Sequence, residues 1–453
     1  MVSAGMPESV PRPLQSRPSA VPLTGTVAVP GDKSISHRAL LFAALAVGES
    51  RISGLLEGED VLRTAAALRA LGAEVEREAE GNWRVWGCGV GGLAEPADVL
   101  DMGNSGTAAR LLAGILAAQP FLSVLTGDAS LRRRPMARVT EPLSASGARF
   151  WSRSGGRLPL AIQGASEPMA LDCRLAVPSA QVKSALLLCG LHARGTTFVE
   201  EPVPTRDHSE NLLRHFGATI AVEPAGGGRR IALAGQPELR AADVRVPGDP
   251  SSAAFPLVAA LLVAGSRVRV SSVGLNPLRT GLFATLREMG ASLAVENERQ
   301  EAGEPVGDLV AEAGPLRGVT VPAERAPSMI DEYPILAVAA ACARGTTRML
   351  GLGELRVKES DRLAATAALL KANGVKVAID GDALVVEGAG RPPGGGMVAT
   401  HMDHRLAMSA LVLGLAAKAP VTVDESRFID TSFPGFAALL NRLCPPAGAI
   451  AAP

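Results

Sequence analysis

Long apolar runs recur along the chain, each preceded by a short, small and polar turn; residues 253–263 are an example. The runs are rich in Ala, Leu and Val and extend for about 11 to 15 residues, whereas crossing a bilayer takes about 20. They are therefore expected to be helices buried inside a protein core. The whole pattern returns six times, roughly every 70 to 80 residues, which is the mark of a repeated supersecondary unit. The polar openings are Gly31-Asp32-Lys33-Ser34, Gly103-Asn104-Ser105-Gly106, Pro178-Ser179-Ala180-Gln181, Pro250-Ser251-Ser252, Ser328-Met329-Ile330-Asp331 and His401-Met402-Asp403-His404. After the apolar run a glycine leads into a β-rich stretch, at Gly48, Gly195, Gly265 and Gly345. A second helix then stops at Gly72, Gly147, Gly217, Gly290 or Gly374, as a left-handed C-terminal cap requires. The sixth copy, ending near Leu443, lacks that glycine. Each copy reads strand, helix, strand, helix, strand, so the chain is expected to be α/β or α+β.

A chain of 453 residues with 47% apolar composition can bury more than one core, and six copies divide into two groups of three. The joint is expected near Arg245-Val246-Pro247-Gly248. Residues 1–20 contain several prolines and no apolar run of signal-peptide length, and are expected to be a mobile leader. Lys plus Arg and Asp plus Glu number 45 each, so no global basic field points to nucleic acid or a membrane surface. Any anion must be bound locally. The five cysteines are scattered without CxxC spacing, which argues against a disulfide framework or a structural zinc site and for a reducing, cytoplasmic setting.

Candidate chemistry gathers at the helix openings. A cation near a helix N-terminus opposes the macrodipole by about 0.3 to 1 kcal/mol. Even so, Lys33 and Arg38 stand at the first opening and Lys183 just after the third. An anion seated on the free N–H groups would make sense of them. The alternative for Ser34, Ser179, Ser251 and Asp331 is a plain N-cap. That reading is preferred for Ser251, and a site is preferred for Lys33, Ser34 and Arg38 together. Lys358 and Arg362 form a like-charge pair at i,i+4. Within Arg132-Arg133-Arg134, Pro135 restricts Arg134 to extended geometry and makes it the candidate of the three. Asp331 and Glu359 are the acid–base candidates. Gly31-Asp32-Lys33-Ser34 lacks the first glycine of a Walker loop, and His401, Asp403 and His404 lack partners for a metal shell; His404 and Asp403 are expected to orient Arg405.

Taken together, Pro30-Gly31-Asp32-Lys33-Ser34-Ile35-Ser36-His37-Arg38, Gly103-Asn104-Ser105-Gly106-Thr107, Arg134-Pro135-Met136, Leu355-Arg356-Val357-Lys358-Glu359-Ser360-Asp361-Arg362 and Asp403-His404-Arg405 resemble the 5-enolpyruvylshikimate 3-phosphate synthase family. The likeness keeps motif order from about residue 22 to 443. It implies a two-domain inside-out α/β barrel, each domain made of three βαβαββ repeats with buried helices. The chain would cross between domains twice, giving one domain of residues 21–31 and 246–453 and another of 32–245.

The implied reaction moves the enolpyruvyl group of phosphoenolpyruvate to the 5-hydroxyl of shikimate 3-phosphate. The hydroxyl attacks C2 while C3 is protonated, and the tetrahedral intermediate then loses a C3 proton and phosphate. Asp331 would activate the hydroxyl, and Glu359 with Lys33 would move protons at C3. The resemblance assigns phosphoenolpyruvate to Lys33, Asn104, Gly106, Arg134, Gln181, Lys358, Arg362 and Arg405. It assigns shikimate 3-phosphate to Lys33, Ser34, Arg38, Ser179, Ala180, Gln181, Arg206, Asp331 and Lys358, with Ser179 and Arg206 on its phosphate. No metal or organic cofactor, nucleic acid or membrane is implied, and a monomer is expected.

Two features depart from many family members: Thr431 stands where a lysine would precede Ser432-Phe433-Pro434, and Ser179-Ala180-Gln181 replaces Ser-Ser-Gln. They resemble the divergent bacterial branch that includes glyphosate-tolerant enzymes. Tolerance there goes with Ala at the position of Gly106, so glyphosate is expected to inhibit this chain. The rival with the same plan, UDP-N-acetylglucosamine enolpyruvyl transferase, uses a loop cysteine where this chain has Ala129. A non-catalytic anion-binding repeat scaffold would leave Asp331 and Glu359 without a purpose.

Overall fold

All five glycines expected to end a second helix lie in the left-handed region, with φ of 91° at Gly72, 98° at Gly147, 91° at Gly217, 95° at Gly290 and 73° at Gly374. A side chain there would be strained, so these positions fix where each helix stops and its hairpin begins. The computed structural model describes residues 11–445 and 448–453. It contains six four-stranded sheets. In the second unit, Leu100–Asp101 runs parallel to Leu122–Thr126, Arg157–Gln163 pairs antiparallel with the latter, and Arg149–Arg153 forms the edge. Helices Gly106–Leu116 and Ala137–Leu143 make the connections, which gives βαβαββ.

The first helix of each unit is buried. Helices Lys33–Leu45, Gly106–Leu116 and Ala180–Gly190 share one apolar cluster, and Pro250–Leu262, Tyr333–Cys342 and His404–Ala416 share the other. Every residue from Pro250 to Leu261 is buried, a helix that is apolar all round because helices or sheets cover each side. Small residues set the spacing. A β-carbon on Gly114 would lie 2.2 Å from the Ala185 carbonyl oxygen, so the second and third inner helices meet backbone to backbone there. Among the described residues, no helix is long and apolar enough to cross a membrane.

Two strands are exchanged between the halves. Thr24–Ala28 precedes the first inner helix but pairs in parallel with Arg267–Gly274 of the fourth unit. Val244–Arg245 precedes the fourth inner helix but pairs with Val47–Ser53 of the first. The two crossing segments bond to each other where they pass: Asp32 N–H donates to the Pro247 carbonyl at 2.8 Å, and Asp249 N–H to the Pro30 carbonyl at 2.9 Å.

The leader expectation needs correction. Leu14–Ser16 forms a strand between Val421–Val423 and Ile450–Ala451, completing the sixth sheet. Three residues are too few to show a strand period. Residues 1–10 of the expected leader lie outside the described residues.

At the crossing sits Arg279, 3% exposed. Its Nη2 donates to Asp249 Oδ1 at 3.1 Å and to Ser251 Oγ at 2.9 Å. It also lies 3.8 Å from Asp32 Oδ2, and its Nη1 is 3.6 Å from Glu332 Oε1. Asp32 caps helix Lys33–Leu45 through Ile35 N–H, and Asp249 caps Pro250–Leu262 through Ser251 N–H. One guanidinium thus ties together the starts of the first and fourth inner helices.

Candidate active site

Of the four residues for which an N-cap is the alternative, one caps its helix, and Ser251, where the cap is preferred, does not. Ser179 does cap its helix, accepting from Val182 N–H at 3.4 Å. Ser34 and Ser251 do not, because Asp32 and Asp249 precede them and take the role. The Ser251 hydroxyl turns instead to the Glu332 carboxylate. Asp331 is not a cap either; Glu332 occupies that position, without a side-chain bond to the helix.

Asp331 is held between the two halves of the molecule. Its Oδ2 accepts from Arg206 at 2.7 Å, and Arg206 belongs to the third unit. Its Oδ1 accepts from Arg362 at 3.1 Å and lies 3.5 Å from Lys358 Nζ. Arg405 donates to the Asp331 carbonyl at 3.2 Å. Burial pushes this carboxyl up, but Lys358, Arg405, Arg206 and Arg362 outweigh it and hold the group well below the usual carboxylate range. Glu359 behaves alike: burial opposes, and Arg362, Arg134, His404 and Lys358 lower it. Both are carboxylates at neutral pH.

Arg362 is 1% exposed, and its Nη2 is 2.6 Å from Glu359 Oε2 while its Nε donates to Asp403 Oδ2 at 2.7 Å. Asp403 therefore orients Arg362. Toward Arg405 it offers only a cap on the backbone N–H at 3.0 Å, so the expected His404–Asp403 support of the Arg405 side chain gives way to this pairing. His401 and Met402, with φ of 52° and 60°, lead into Asp403 in left-handed geometry, a strain of about 1–3 kcal/mol each that the ion network must overcome.

A second cationic corner lies in the second unit. Arg134 leaves its short turn in extended geometry, and its Nη2 donates to Asn104 Oδ1 at 2.6 Å, while Asn104 is held by Asp128 at 2.6 Å. Arg110 donates to Gln181 Oε1 at 2.7 Å, and Gln181 to Thr107 Oγ1 at 3.0 Å. Burial first, then Arg134 and Arg138, lower the Arg110 guanidinium to about 10. Gly106 lies against both arginines: a β-carbon there would be 2.9 Å from Arg110 Nη1 and 3.2 Å from Arg134 Nη1. Clustered guanidiniums of this kind suit a bound anion.

Lys33, at the first opening, pairs with Asp60 Oδ2 at 3.1 Å. Arg38 is drawn away from the seam. It is 2% exposed, and its three nitrogens donate to Ser209 Oγ, Ser34 O and Ser184 Oγ, joining the first unit to the third. Ser34 and Ala180 are half-buried at their helix starts. The structure thus brings together Asp331, Glu359, Lys358, Arg362, Arg405, Arg206 and Arg134. Asp60, Arg110, Arg279 and Glu332 are additions that the motifs alone do not supply. A lone Arg in the apolar run of helix Gly106–Leu116 was the available signal for Arg110. Among the described residues, no three His, Cys, Asp or Glu side chains are grouped to hold a metal ion.

Burial, above all, lowers His37 and His404 to about 3 and His192 to about 4. The folded protein keeps them neutral while the unfolded chain protonates them near 6.5, so stability is lost as pH falls from 6.5 toward 3. The unfolding temperature should begin to drop below about pH 6.5, before carboxylates titrate. His404→Gln should flatten the slope between pH 6.5 and 4.5; an unchanged slope would refute the assignment.

An inside-out α/β barrel with cationic side chains from both halves gathered at one seam is the architecture of the enolpyruvyl transferases. The family model described as EPSP synthase (3-phosphoshikimate 1-carboxyvinyltransferase) matches residues 18–440, and the chain belongs to that family. Proteins named 3-phosphoshikimate 1-carboxyvinyltransferase are 70% identical to it in Acidiphilium cryptum, over 95% of this chain and 96% of the relative, and in Granulibacter bethesdensis, over 96% and 97%. Among solved structures, EPSP synthase from Acinetobacter baumannii superposes with a TM-score of 0.87 at 43% identity, covering 97% of this chain and 99% of that one. The enolpyruvyl transferase NikO from Streptomyces tendae shares the fold, with a TM-score of 0.75 at 20% identity over 97% and 99%.

Proposed function

We infer that this protein transfers the enolpyruvyl group of phosphoenolpyruvate to the 5-hydroxyl of shikimate 3-phosphate, releasing phosphate, in the shikimate route to chorismate and aromatic amino acids. The observation that carries the reading is the seat of Asp331, a half-buried carboxylate among four cations drawn from both halves of the molecule. The full-length identity to relatives bearing that enzyme name supports it.

On this reading Arg134, Arg362, Arg405, Lys33 and Lys358 hold phosphoenolpyruvate, with Asn104, Gly106 and Gln181 beside it. Ser179, Ala180, Gln181, Ser34 and Arg206 receive shikimate 3-phosphate. Arg38 acts there through Ser34, whose carbonyl it holds. Asp331, with its carboxyl depressed by four cations, is a weak base until anions compete for them. Entering phosphate and carboxylate groups draw off that positive charge and raise its basicity where the 5-hydroxyl arrives. Glu359 and Lys33 move the C3 protons, and the arginines stabilise charge on the departing phosphate.

We assign residues 21–31 with 246–453, and 32–245, as the two bodies that close on substrate; the two apolar clusters support the division, with Val246 packing in the cluster of 32–245. Gly58 lies on their seam. Its φ of −73° is ordinary, but a β-carbon there would be 2.3 Å from the Thr431 carbonyl oxygen of the other half. Gly58→Ala should therefore wedge the seam, raising KM for both substrates and lowering kcat; unchanged kinetics would contradict closure at this contact. Gly106→Ala pushes on Arg110 and Arg134, so it should raise the phosphoenolpyruvate KM and relieve glyphosate inhibition. An inhibition constant that does not move would refute that placement. A cytoplasmic monomer acting on small molecules alone fits five unpaired cysteines and the balanced charge.

Phosphate release on mixing both substrates tests the function. UDP-N-acetylglucosamine in place of shikimate 3-phosphate should yield none.

A further inference from the structure

Lys183 stands in the first turn of its helix, where a cation opposes the macrodipole, yet it does not face the seam. Its ammonium is fully buried, 2.7 Å from Glu210 Oε1 and 2.9 Å from Glu201 Oε2, and it donates to the Thr205 carbonyl at 3.4 Å. Glu201 is the last residue of strand Thr196–Glu201, and Glu210 lies in helix His208–His215. Between them runs the segment 202–207, which carries Arg206. The Thr205 hydroxyl also donates to the Glu201 carboxylate.

Both ends of that segment, and the carbonyl next to Arg206, thus converge on one buried cation. Packing alone does not call for this: a buried ion cluster is weak evidence for stability, since apolar residues of equal volume often do as well or better. What the cluster does supply is a fixed direction for the residue that follows Thr205. The excess acidic charge is faced by Arg38, whose guanidinium Glu210 stabilises and whose Nε holds Ser209.

We propose that Lys183 is a positioning residue for Arg206, fixing the 202–207 segment so that the guanidinium spans the seam to Asp331 and meets the phosphate of shikimate 3-phosphate. This rests on the assignment of Arg206 to that phosphate. The effect belongs to one substrate, because none of the groups assigned to phosphoenolpyruvate lies on the 202–207 segment, and Gln181, on the helix of Lys183, is tied to Arg110 and Thr107 instead.

The test is a set of double-mutant cycles on steady-state kinetics, combining Arg206→Ala with Thr205→Val and with Lys183→Met/Glu201→Gln/Glu210→Gln. The triple change replaces the ion cluster by neutral groups, avoiding the unpaired buried carboxylates that Lys183→Met alone would leave. Arg206→Ala should raise the KM for shikimate 3-phosphate by about tenfold or more, as loss of a charged hydrogen bond does. The triple variant and Thr205→Val should raise the same KM, leave that of phosphoenolpyruvate within about twofold, and add little once Arg206 is already Ala. If Arg206→Ala raises the KM but the second substitution multiplies it further, or if both KM values rise together, the role of Lys183 is overturned. If Arg206→Ala leaves the KM unmoved, the phosphate assignment itself fails.

Discussion

Asp331→Asn should lower kcat by about 10² to 10⁴-fold, the usual contribution of a positioned general base. The substitution keeps shape and removes charge. Arg206, Arg362, Lys358 and Arg405 would then surround a neutral amide, and their mutual repulsion would favour any anion that enters. The KM for shikimate 3-phosphate should therefore stay level or fall while turnover collapses. A kcat within tenfold of wild type would remove Asp331 from the chemistry. Glu359→Gln should also cut turnover without weakening shikimate 3-phosphate, because its partners Arg362 and Arg134 lie on the phosphoenolpyruvate side.

Arg279→Met should cost about 3–5 kcal/mol, the range for removing one partner from a buried ion cluster. It would leave Asp32, Asp249 and Glu332 without the guanidinium that lies within 3.8 Å of all three. In a unit of roughly 200 residues that is a fall of roughly 10 °C in unfolding temperature. Turnover should fall as well, since Asp32 precedes Lys33 and Glu332 follows Asp331. Adding Asp249→Asn removes one stranded charge but keeps a capping side chain, and should restore part of the stability. An unfolding temperature unmoved by Arg279→Met would show that the crossing does not depend on this clamp.

The repeat was legible because glycine leaves a physical mark: the second helices of the first five units end on a left-handed residue, and glycine supplies it each time. The buried helices were legible from their length and lack of a polar face. Strand exchange was legible only through the family resemblance, which puts residues 21–31 with the other half. Thr24–Ala28 and Val244–Arg245 look like strands wherever they pair, and nothing local says that each joins the sheet of the other half.

The site shows the same division. Lys358, Arg362, Glu359 and Arg405 announce themselves as charge at the mouth of apolar helices. Arg279, Asp60 and Glu332 are residues whose meaning comes from partners far along the chain, such as Asp32 for Arg279. The cap read at Ser251 misled for a simpler reason: Asp249, two residues earlier, is the better acceptor. Arg38 belongs to the recognisable motif, yet its bonds to Ser184 and Ser209 turn it toward the third unit, which its spacing does not reveal.

The most direct measurement of the central claim is phosphate released against enol ether formed, with the full chain and both substrates present. The account predicts one phosphate per enolpyruvyl group transferred, none from phosphoenolpyruvate alone, and loss of both products together in Asp331→Asn. Phosphate release without shikimate 3-phosphate, or unaltered product formation by the variant, would contradict it.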